Sequence, residues 1–405
     1  MKAHQDLSAE QTDADRDSTI VLLASAAFFS GAALRVCDGL LPRLAQDFAI
    51  TPGAAGQVVI SFAVAYGLMQ LVFGPLGDRY GKARLMCAAL LGCAGGALAS
   101  ALAPGFEALV WTRMLWGMAA AGVIPLAMAW IGDNVPYAQR QATLARFLTG
   151  TLSGMMAGQL AGGLFADLAA GWRGAFFMLA AGFALVATLL LRRVRRMPTH
   201  SPAASAPLSH IARGLWAVLQ LAWARRVLLA VAAEGLFLLG PMAFLPTYLH
   251  QRHGLTLAVA SGLMALYAAG GLVYAFSARR IVAKLGERRM VLVGGLLVGM
   301  SFLALWLSPW GLAAGPIALL MGFGTYLFHN TLQTHATQMA PAARGTAVSL
   351  FAFCLFGGQA LGVTLAAWSI DHLGYTAMLV TAAVGLAMAG WAFAGALGRH
   401  AAQGP

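Results

Sequence analysis

The stretch GPLGDRYGKAR, from Gly74 to Arg84, decides the fold of this chain because it separates two apolar runs. Each run is about 20 residues long, the length that crosses a hydrocarbon layer of ~30 Å. Gly74 and Gly77 would let the end of the first helix pack closely against a neighbour, and Gly81 permits a tight turn. The charged residues of the stretch, which suit an anionic membrane surface, are Asp78, Arg79, Lys82 and Arg84. The stretch therefore predicts a short loop between two membrane-spanning helices.

The composition of the chain requires lipid as its solvent. Of its 405 residues, 60% are hydrophobic and only 10% are charged, whereas soluble domains are about 45–50% apolar and about 25% charged. Its 48 glycines suit membrane helices, in which small residues let backbones approach closely. The net charge of +12 comes from basic residues in short loops rather than on one aromatic-studded face, so we expect no nucleic-acid partner.

Further apolar runs of similar length lie on both sides of this loop, and together they predict an all-α integral membrane protein. Twelve transmembrane helices are expected, in two pseudo-symmetric six-helix bundles. They lie near 19–42, 54–77, 84–104, 107–132, 143–167, 173–192, 226–249, 257–278, 289–308, 311–338, 345–368 and 375–397. The predicted domains are an N-terminal tail (1–18), an N-terminal bundle (19–192), a mobile linker rich in arginine and proline (193–225), a C-terminal bundle (226–397) and a C-terminal tail (398–405).

An internal repeat supports the division into two halves. GLLPRLAQDFAIT at 39–51 is similar to AFLPTYLHQRHGLT at 243–256, which pairs Pro42 with Pro246. DRYGKARLM at 78–86 is similar to AKLGERRMV at 283–291, which pairs Gly81 with Gly286. The offset is 204 or 205 residues in both places. Parallel repeats of six helices are a known way to build a transporter.

Basic residues predict the orientation of the chain. Across the predicted loops and tails, 21 of the 26 lysines and arginines lie on the side of the N-terminus and three on the other side, while Arg35 and Arg113 lie within helices. Because cytoplasmic loops carry this excess, both termini and the linker are expected in the cytoplasm of a bacterium, with the chain in its inner membrane. The first eighteen residues are polar and acidic, unlike a secretory signal.

The sequence offers no sign of an enzyme. The four cysteines lie within apolar runs and lack the paired spacing of a metal site, so neither a metal nor another cofactor is expected. No HExxH motif, phosphate-binding loop or recognisable combination of nucleophile and base is present.

The glycine-acid-arginine-glycine-basic spacing of Gly74 to Arg84 resembles the signature loop of the major facilitator superfamily. That resemblance implies that Asp78 latches the two halves together in the outward-facing state. LVWTRMLWGMAAAG at 109–122 resembles the second motif of the family, whose arginine, here Arg113, is implicated in proton coupling. Trp116 stands where that motif usually has glutamine. The alternative is that Arg113 extends to the outer membrane surface.

The fifth predicted helix carries GMMAGQLAGG at 154–163. It resembles the antiporter motif of exporters in this family, except that Gln159 replaces a proline. Its glycines form a groove on one helix face, although any tightly packed pair of helices can use such spacing. They are Gly154, Gly158, Gly162 and Gly163.

Ionisable residues inside a membrane mark candidate functional sites. Arg35 and Asp38 are three residues apart and share a helix face, so they form either a coupling site or a structural ion pair. We rank Asp38 above Glu234 as the proton-coupling acid, because burial favours the neutral acid while the arginines Arg35 and Arg113 favour the charged one. Glu234 could instead hydrogen-bond a neighbouring helix.

Further polar residues in the second half could line a cavity. They are His329, Asn330, Gln333 and Gln359. His329 and His335 are six residues apart and therefore on different helix faces, which argues against a shared metal.

Taken with the resemblance, these features predict a secondary transporter similar to the twelve-helix drug-efflux branch. It would be a proton-coupled antiporter that exports small amphipathic compounds by alternating access. Its expected partners are a small-molecule substrate, protons and membrane lipid, and we expect a monomer. One alternative is an importer of a small organic anion that Arg35 and Arg113 would bind. Another is a membrane sensor or scaffold that transports nothing.

Overall fold

The computed structural model describes residues 2–195 and 208–402, and all their regular elements are helices. The first half contains α1 (Lys2–Asp47), α2 (Pro52–Ala55), α3 (Gln57–Tyr80), α4 (Lys82–Ala101), α5 (Phe106–Ala120), α6 (Val123–Asn134), α7 (Tyr137–Asp167) and α8 (Gly171–Val194). The second half follows a short helix, α9 (Leu208–Gln220). It contains α10 (Ala222–Glu234), a π-helical turn (Gly235–Leu239), α11 (Gly240–Met242), α12 (Leu245–His253), α13 (Leu257–Leu307), α14 (Ala314–Gln338), α15 (Arg344–His372) and α16 (Tyr375–Ala402), with short 3₁₀ turns at Gly311–Ala313 and Pro341–Ala343.

Ten segments of the described chain are long and apolar enough to cross a membrane. One of them, the 51-residue α13, contains a break at Gly286, where φ is 66° and ψ is 164°. Counting α13 as two helices divided at Gly286 gives eleven segments, and the 31-residue helix α7, which is not among the ten, gives twelve long helical segments in the described chain. The all-α membrane fold is confirmed, whereas twelve crossings stay a prediction.

Helices extend into both predicted tails and into part of the predicted linker. Helix α1 begins at Lys2 and α16 ends at Ala402. Within the linker, α9 is helical because apolar residues recur along one face, where Leu215 and Val218 pack onto the second half. Linker residues 196–207 lie outside the described residues.

The backbone repeats between the halves where sharp turns occur. Gly81 and Gly286, which the sequence repeat pairs, both have positive φ, at 86° and 66°. Gly171 and Gly374, which are 203 residues apart, also both have positive φ, at 55° and 83°. Only glycine adopts this conformation without strain. Both halves therefore turn at equivalent positions.

Different side-chain contacts occur at the two ends of the bundle, which are the linker end and the end opposite to it. At the linker end, Lys82 forms an ion pair with Asp133 across two loops of the first half. At the opposite end, Asp47 accepts hydrogen bonds from Arg43 and from the Trp172 indole. The halves meet along a seam in which α7 packs on α13 and α3 packs on α15, while α1 contacts α12 and α13.

Candidate functional site

An ion pair lies in α1 beside the seam. The Arg35 Nη1 is 3.1 Å from Asp38 Oδ2, and the two residues are only 4% and 1% exposed. Arg35 also crosses the seam, because its Nη2 lies 3.2 Å from Met242 Sδ and its guanidinium lies 5.8 Å from the centre of the Tyr267 ring. The predicted pairing of Arg35 and Asp38 is thus present, and Arg35 joins it to the other half.

Arg113 lies in the interior beside this pair rather than at the membrane surface. It donates through Nε to the Val58 carbonyl at 3.3 Å and through Nη2 to the Ala33 carbonyl at 3.5 Å. Its guanidinium stacks 4.2 Å from the centre of the Phe62 ring. Among the described residues, the buried Arg113 Nη1 and Asp38 Oδ1 have no hydrogen-bond partner. Two cations and one carboxylate therefore share a buried region with hydrogen-bonding capacity to spare.

A second acid lies in the other half. The Glu234 carboxylate is 2% exposed, and both its oxygens lie 3.0 Å from His329 Nδ1 on α14. A π-helical turn begins directly after Glu234, and such turns are frequent at functional sites. His335 pairs separately with Glu287 at 3.0 Å. The two histidines thus have different acid partners, as their separate helix faces predict.

The other predicted cavity residues divide between interior and surface. Asn330, which follows His329 in the chain, donates to the Tyr274 hydroxyl at 2.9 Å. Gln359 is buried where α15 crosses the π-helical turn, whereas Gln333 is exposed. The structure therefore gives Asn330 and Gln359 contacts within the second half and leaves the Gln333 side chain exposed.

The loop from Gly74 to Arg84 is partly as predicted. Gly77 faces the Leu126 side chain on α6, so close packing occurs there, but space around Gly74 is open because that face of α3 is exposed. The Arg79 guanidinium lies 5.2 Å from the centre of the Tyr80 ring, and Arg84 is exposed. The Asp78 side chain lies outside the described residues.

The glycines of α7 contact two partners. The first three, spaced four residues apart, pack against successive backbone carbonyls of α1, namely Gly154 on Phe28, Gly158 on Ala32 and Gly162 on Val36. Gly163 instead lies at the seam against Leu257 and Ser261 of α13. Gln159 is buried. The α7 stripe therefore fixes α1 and also reaches the other half.

The same packing occurs in the second half, where sequence reading missed it. Gly358 packs on the Ala232 carbonyl and Gly362 on the Leu236 carbonyl. The pair Gly358 and Ala232 lies 204 residues after the pair Gly154 and Phe28. The pair Gly362 and Leu236 lies 204 residues after the pair Gly158 and Ala32. The spacing in GGQALG at 357–362 could have indicated it. Sequence reading also missed Asp167 and Asp371, two carboxylates that bridge the seam at the opposite end.

Similar proteins share this architecture. The sequence matches the family model of the Major Facilitator Superfamily over residues 23–363. It is 27% identical to the uncharacterized MFS-type transporter YceJ of Bacillus subtilis, over 89% of this chain and 93% of that protein. It is 26% identical to a chloramphenicol resistance protein of Streptomyces lividans, over 87% and 89% of the two chains. A crystal structure of the peptide transporter POT in complex with sulfate superposes with a TM-score of 0.78 at 16% identity, covering 94% of each chain. The chain therefore belongs to the Major Facilitator Superfamily and is a multi-pass bacterial membrane protein that acts as a secondary transporter.

Proposed function

We propose that the protein is a proton-coupled antiporter that exports small amphipathic compounds. The observation that carries this proposal is the buried Asp38 carboxylate directly beside the seam. One of its oxygens is bound to Arg35, and the other has no hydrogen-bond partner among the described residues. Seam positions near the middle of such bundles are where substrates and coupling ions bind in transporters built from repeats.

Protonation of Asp38 would change the contacts across the seam. As a carboxylate, Asp38 holds the Arg35 guanidinium by a charge-assisted hydrogen bond, and Arg35 in turn contacts Met242 of the other half. As a neutral acid it loses most of that attraction, and in a dry interior the energy involved is larger than in water. Arg35 would then be free to change its partners. Proton binding thereby acts on a residue that spans both halves, which is what coupling requires.

The proposed direction and substrate class rest on three further observations. A relative similar over most of its length is named a chloramphenicol resistance protein, which suggests removal of a small amphipathic compound from the cell. The basic bias of the loops supports a cytoplasmic position for the linker end. The seam is bridged by hydrogen bonds at the opposite end, so this conformation would receive substrate from the cytoplasm.

Proton movement in reconstituted vesicles tests the proposal. Substrate addition should drive proton flux in the unaltered protein, with chloramphenicol as the first probe. Asp38→Asn should abolish that flux yet still allow downhill exchange of substrate. The control is Asp47→Asn, which makes the same change in the same helix at a residue bonded to Arg43 and Trp172 near the end of the bundle, and it should retain coupling.

Glu234 provides the competing assignment. Its carboxylate is as deeply buried as that of Asp38, but His329 on another helix of the same half is its partner. If coupling persists in Asp38→Asn and is lost in Glu234→Gln, then Glu234 is the coupling acid. If both variants retain coupling, neither carboxylate is the coupling acid. Absence of substrate-driven proton flux in the unaltered protein would show that proton antiport is wrong.

One observation favours a second candidate, the import of a small organic anion. Arg113 is buried, its Nη1 has no partner in the described part of the chain, and Arg35 lies in the same region, so the site has one more cation than carboxylate. A carboxylate-bearing substrate would balance that charge and could accept from Nη1. Accumulation of an organic anion in energised but not in uncoupled vesicles would support import and contradict export.

A further inference from the structure

Asp167 ends α7 and binds the start of α13 in the other half. Its Oδ2 accepts from the Ala258 backbone N–H at 2.8 Å, and its Oδ1 accepts from the Leu257 N–H at 3.3 Å. The first N–H groups of a helix have no acceptor within the helix. A carboxylate is a strong acceptor for them, so this contact joins the halves at the opposite end of the bundle.

Asp371, near the end of α15, makes the reciprocal contact. Its Oδ2 accepts from the Thr51 hydroxyl at 2.7 Å, and its Oδ1 accepts from the Gly53 N–H at 3.3 Å. Gly53 has no side chain to hold the carboxylate away: a methyl group there would collide with Asp371 and would lie 2.7 Å from the Ala367 carbonyl oxygen. The second half therefore holds the start of α2 in the first half just as the first half holds α13.

The two contacts are one contact repeated with the halves exchanged. Asp167 and Asp371 are 204 residues apart, and the N–H donors of Gly53 and Ala258 are 205 residues apart. The helix caps match as well, because Thr51 accepts from the Ala54 N–H at 3.0 Å and the residue 205 positions later, Thr256, accepts from the Val259 N–H at 3.3 Å. Two equivalent bridges therefore stand on either side of the same seam.

We propose that Asp167 and Asp371 are paired gate residues that hold this end of the transport path closed, and that both must release when it opens. Both carboxylates are exposed, so water can replace their partners when the halves separate. A bridge of this kind opens at lower cost than one buried in the middle of the membrane, where no water would replace it. The proposal requires alternating access only, and it does not depend on proton coupling or on the direction of transport.

A distance measurement across the seam tests the gate directly. Gln46 on α1 and Gln251 on α12 are exposed and line one cleft at this end, so spin labels on Gln46→Cys and Gln251→Cys report its opening. Cys354 is replaced by alanine, and the other three native cysteines are buried and should not react. Pulsed electron spin resonance then gives the open and closed populations.

We expect Asp167→Asn and Asp371→Asn each to raise the ratio of open to closed molecules by about fivefold, and the double variant by about 25-fold, since separate contacts act additively. Gly53→Ala displaces Asp371 from the other side and should behave like Asp371→Asn. The control is Asp47→Asn, because Asp47 lies at the same end but bonds only to residues of its own half among those described.

Two results would overturn the proposal. One is a double variant whose distance distribution equals that of the unaltered protein. The other is an equal shift in Asp47→Asn, which would mean that loss of any carboxylate at this end loosens the bundle. Loss of proton coupling in vesicles would leave the distances unaffected, so failure of the proposed function and failure of the gate can be told apart.

Discussion

Adjacent glycines in α15 offer a direct test of how helices pack within the second half. Gly358 lies against the backbone of α10, where an added methyl group would collide with the Ala232 carbonyl oxygen and lie 3.0 Å from its carbonyl carbon. Gly357 is exposed, and a methyl group there meets nothing within 4 Å. Alanine at the two positions therefore adds the same atom to the same helix, once into a contact and once into open space.

The magnitude follows from the distance. Ordinary contacts between carbon atoms lie at ~3.5–4.0 Å, so Gly358→Ala must push α15 and α10 apart by about 0.5–1 Å, and such a gap forfeits a quarter to a half of the dispersion attraction of the atoms along it. Backbone atoms cannot rotate aside, so the cost is that of overpacking, ~1–3 kcal/mol. Gly357→Ala has no such cost and gains up to ~1 kcal/mol from helix propensity.

The midpoint of unfolding can be measured on the detergent-solubilised protein. Samples are heated to a series of temperatures, and size-exclusion chromatography gives the fraction that still elutes as one species. In chains of 150–250 residues, each kcal/mol of destabilisation lowers the midpoint by ~2–4 °C, and the shift is smaller in longer chains. At about 2 °C for each kcal/mol, Gly358→Ala should lower the midpoint by roughly 2–6 °C. Gly357→Ala should leave it unchanged or raise it by about 2 °C. Equal midpoints for the two variants would refute the close approach of α15 and α10.

Three other predictions follow from the loops and from the buried arginine. Reporter fusions after Arg196 and after Arg399 should both indicate cytoplasm, and a periplasmic signal at either would contradict the orientation. Asp78→Asn should abolish or sharply slow transport with normal membrane insertion. The second copy of the loop has Ala283 at the equivalent position, so activity should not require the Ala283→Asp change there. Unaltered flux in Asp78→Asn would mean that the loop is only a topology signal. Arg113→Met should abolish proton coupling while Arg113→Lys retains part of it, and a fully active Arg113→Met would exclude a role in coupling.

The fold could be predicted from the sequence because a membrane restricts the possible structures. Backbone groups in lipid must bond within their own segment, so apolar runs of about 20 residues become helices whatever their other features. The repeat was also visible, since turns that need positive φ kept glycine at Gly81 and Gly286. Helix ends were less certain. The predicted first helix ended near residue 42, but α1 extends to Asp47. Arg43 and Asp47 pair one turn apart in this last part, where polar residues hide the helix from a hydropathy reading.

Contacts within one helix could be predicted for the candidate site, whereas contacts between distant segments could not. Arg35 and Asp38 are three residues apart, and helix geometry alone brings them together. Glu234 and His329 are 95 residues apart, and nothing local to Glu234 indicates that a histidine on α14 will face it. The seam bridges of Asp167 and Asp371 escaped notice for the same reason, although their common position in the repeat was a usable signal.

The repeat distinguishes what supports the transporter from what gives it its chemistry. The glycine contacts, the threonine caps and the aspartate bridges occur in both halves at offsets of 204 or 205 residues, so they serve the motion that both halves share. The buried charged groups Arg35, Asp38 and Arg113 do not repeat, because neutral residues stand 204 positions after each of them. The position 204 residues after Asp38 is Met242, a neutral thioether that contacts Arg35 across the seam. Because Asp38 has no counterpart there, a proton binds at this position in the first half alone, and Arg35 carries its effect to the second half. A symmetric frame can rock in either direction, and the unpaired acid is what would allow a proton gradient to drive it in one.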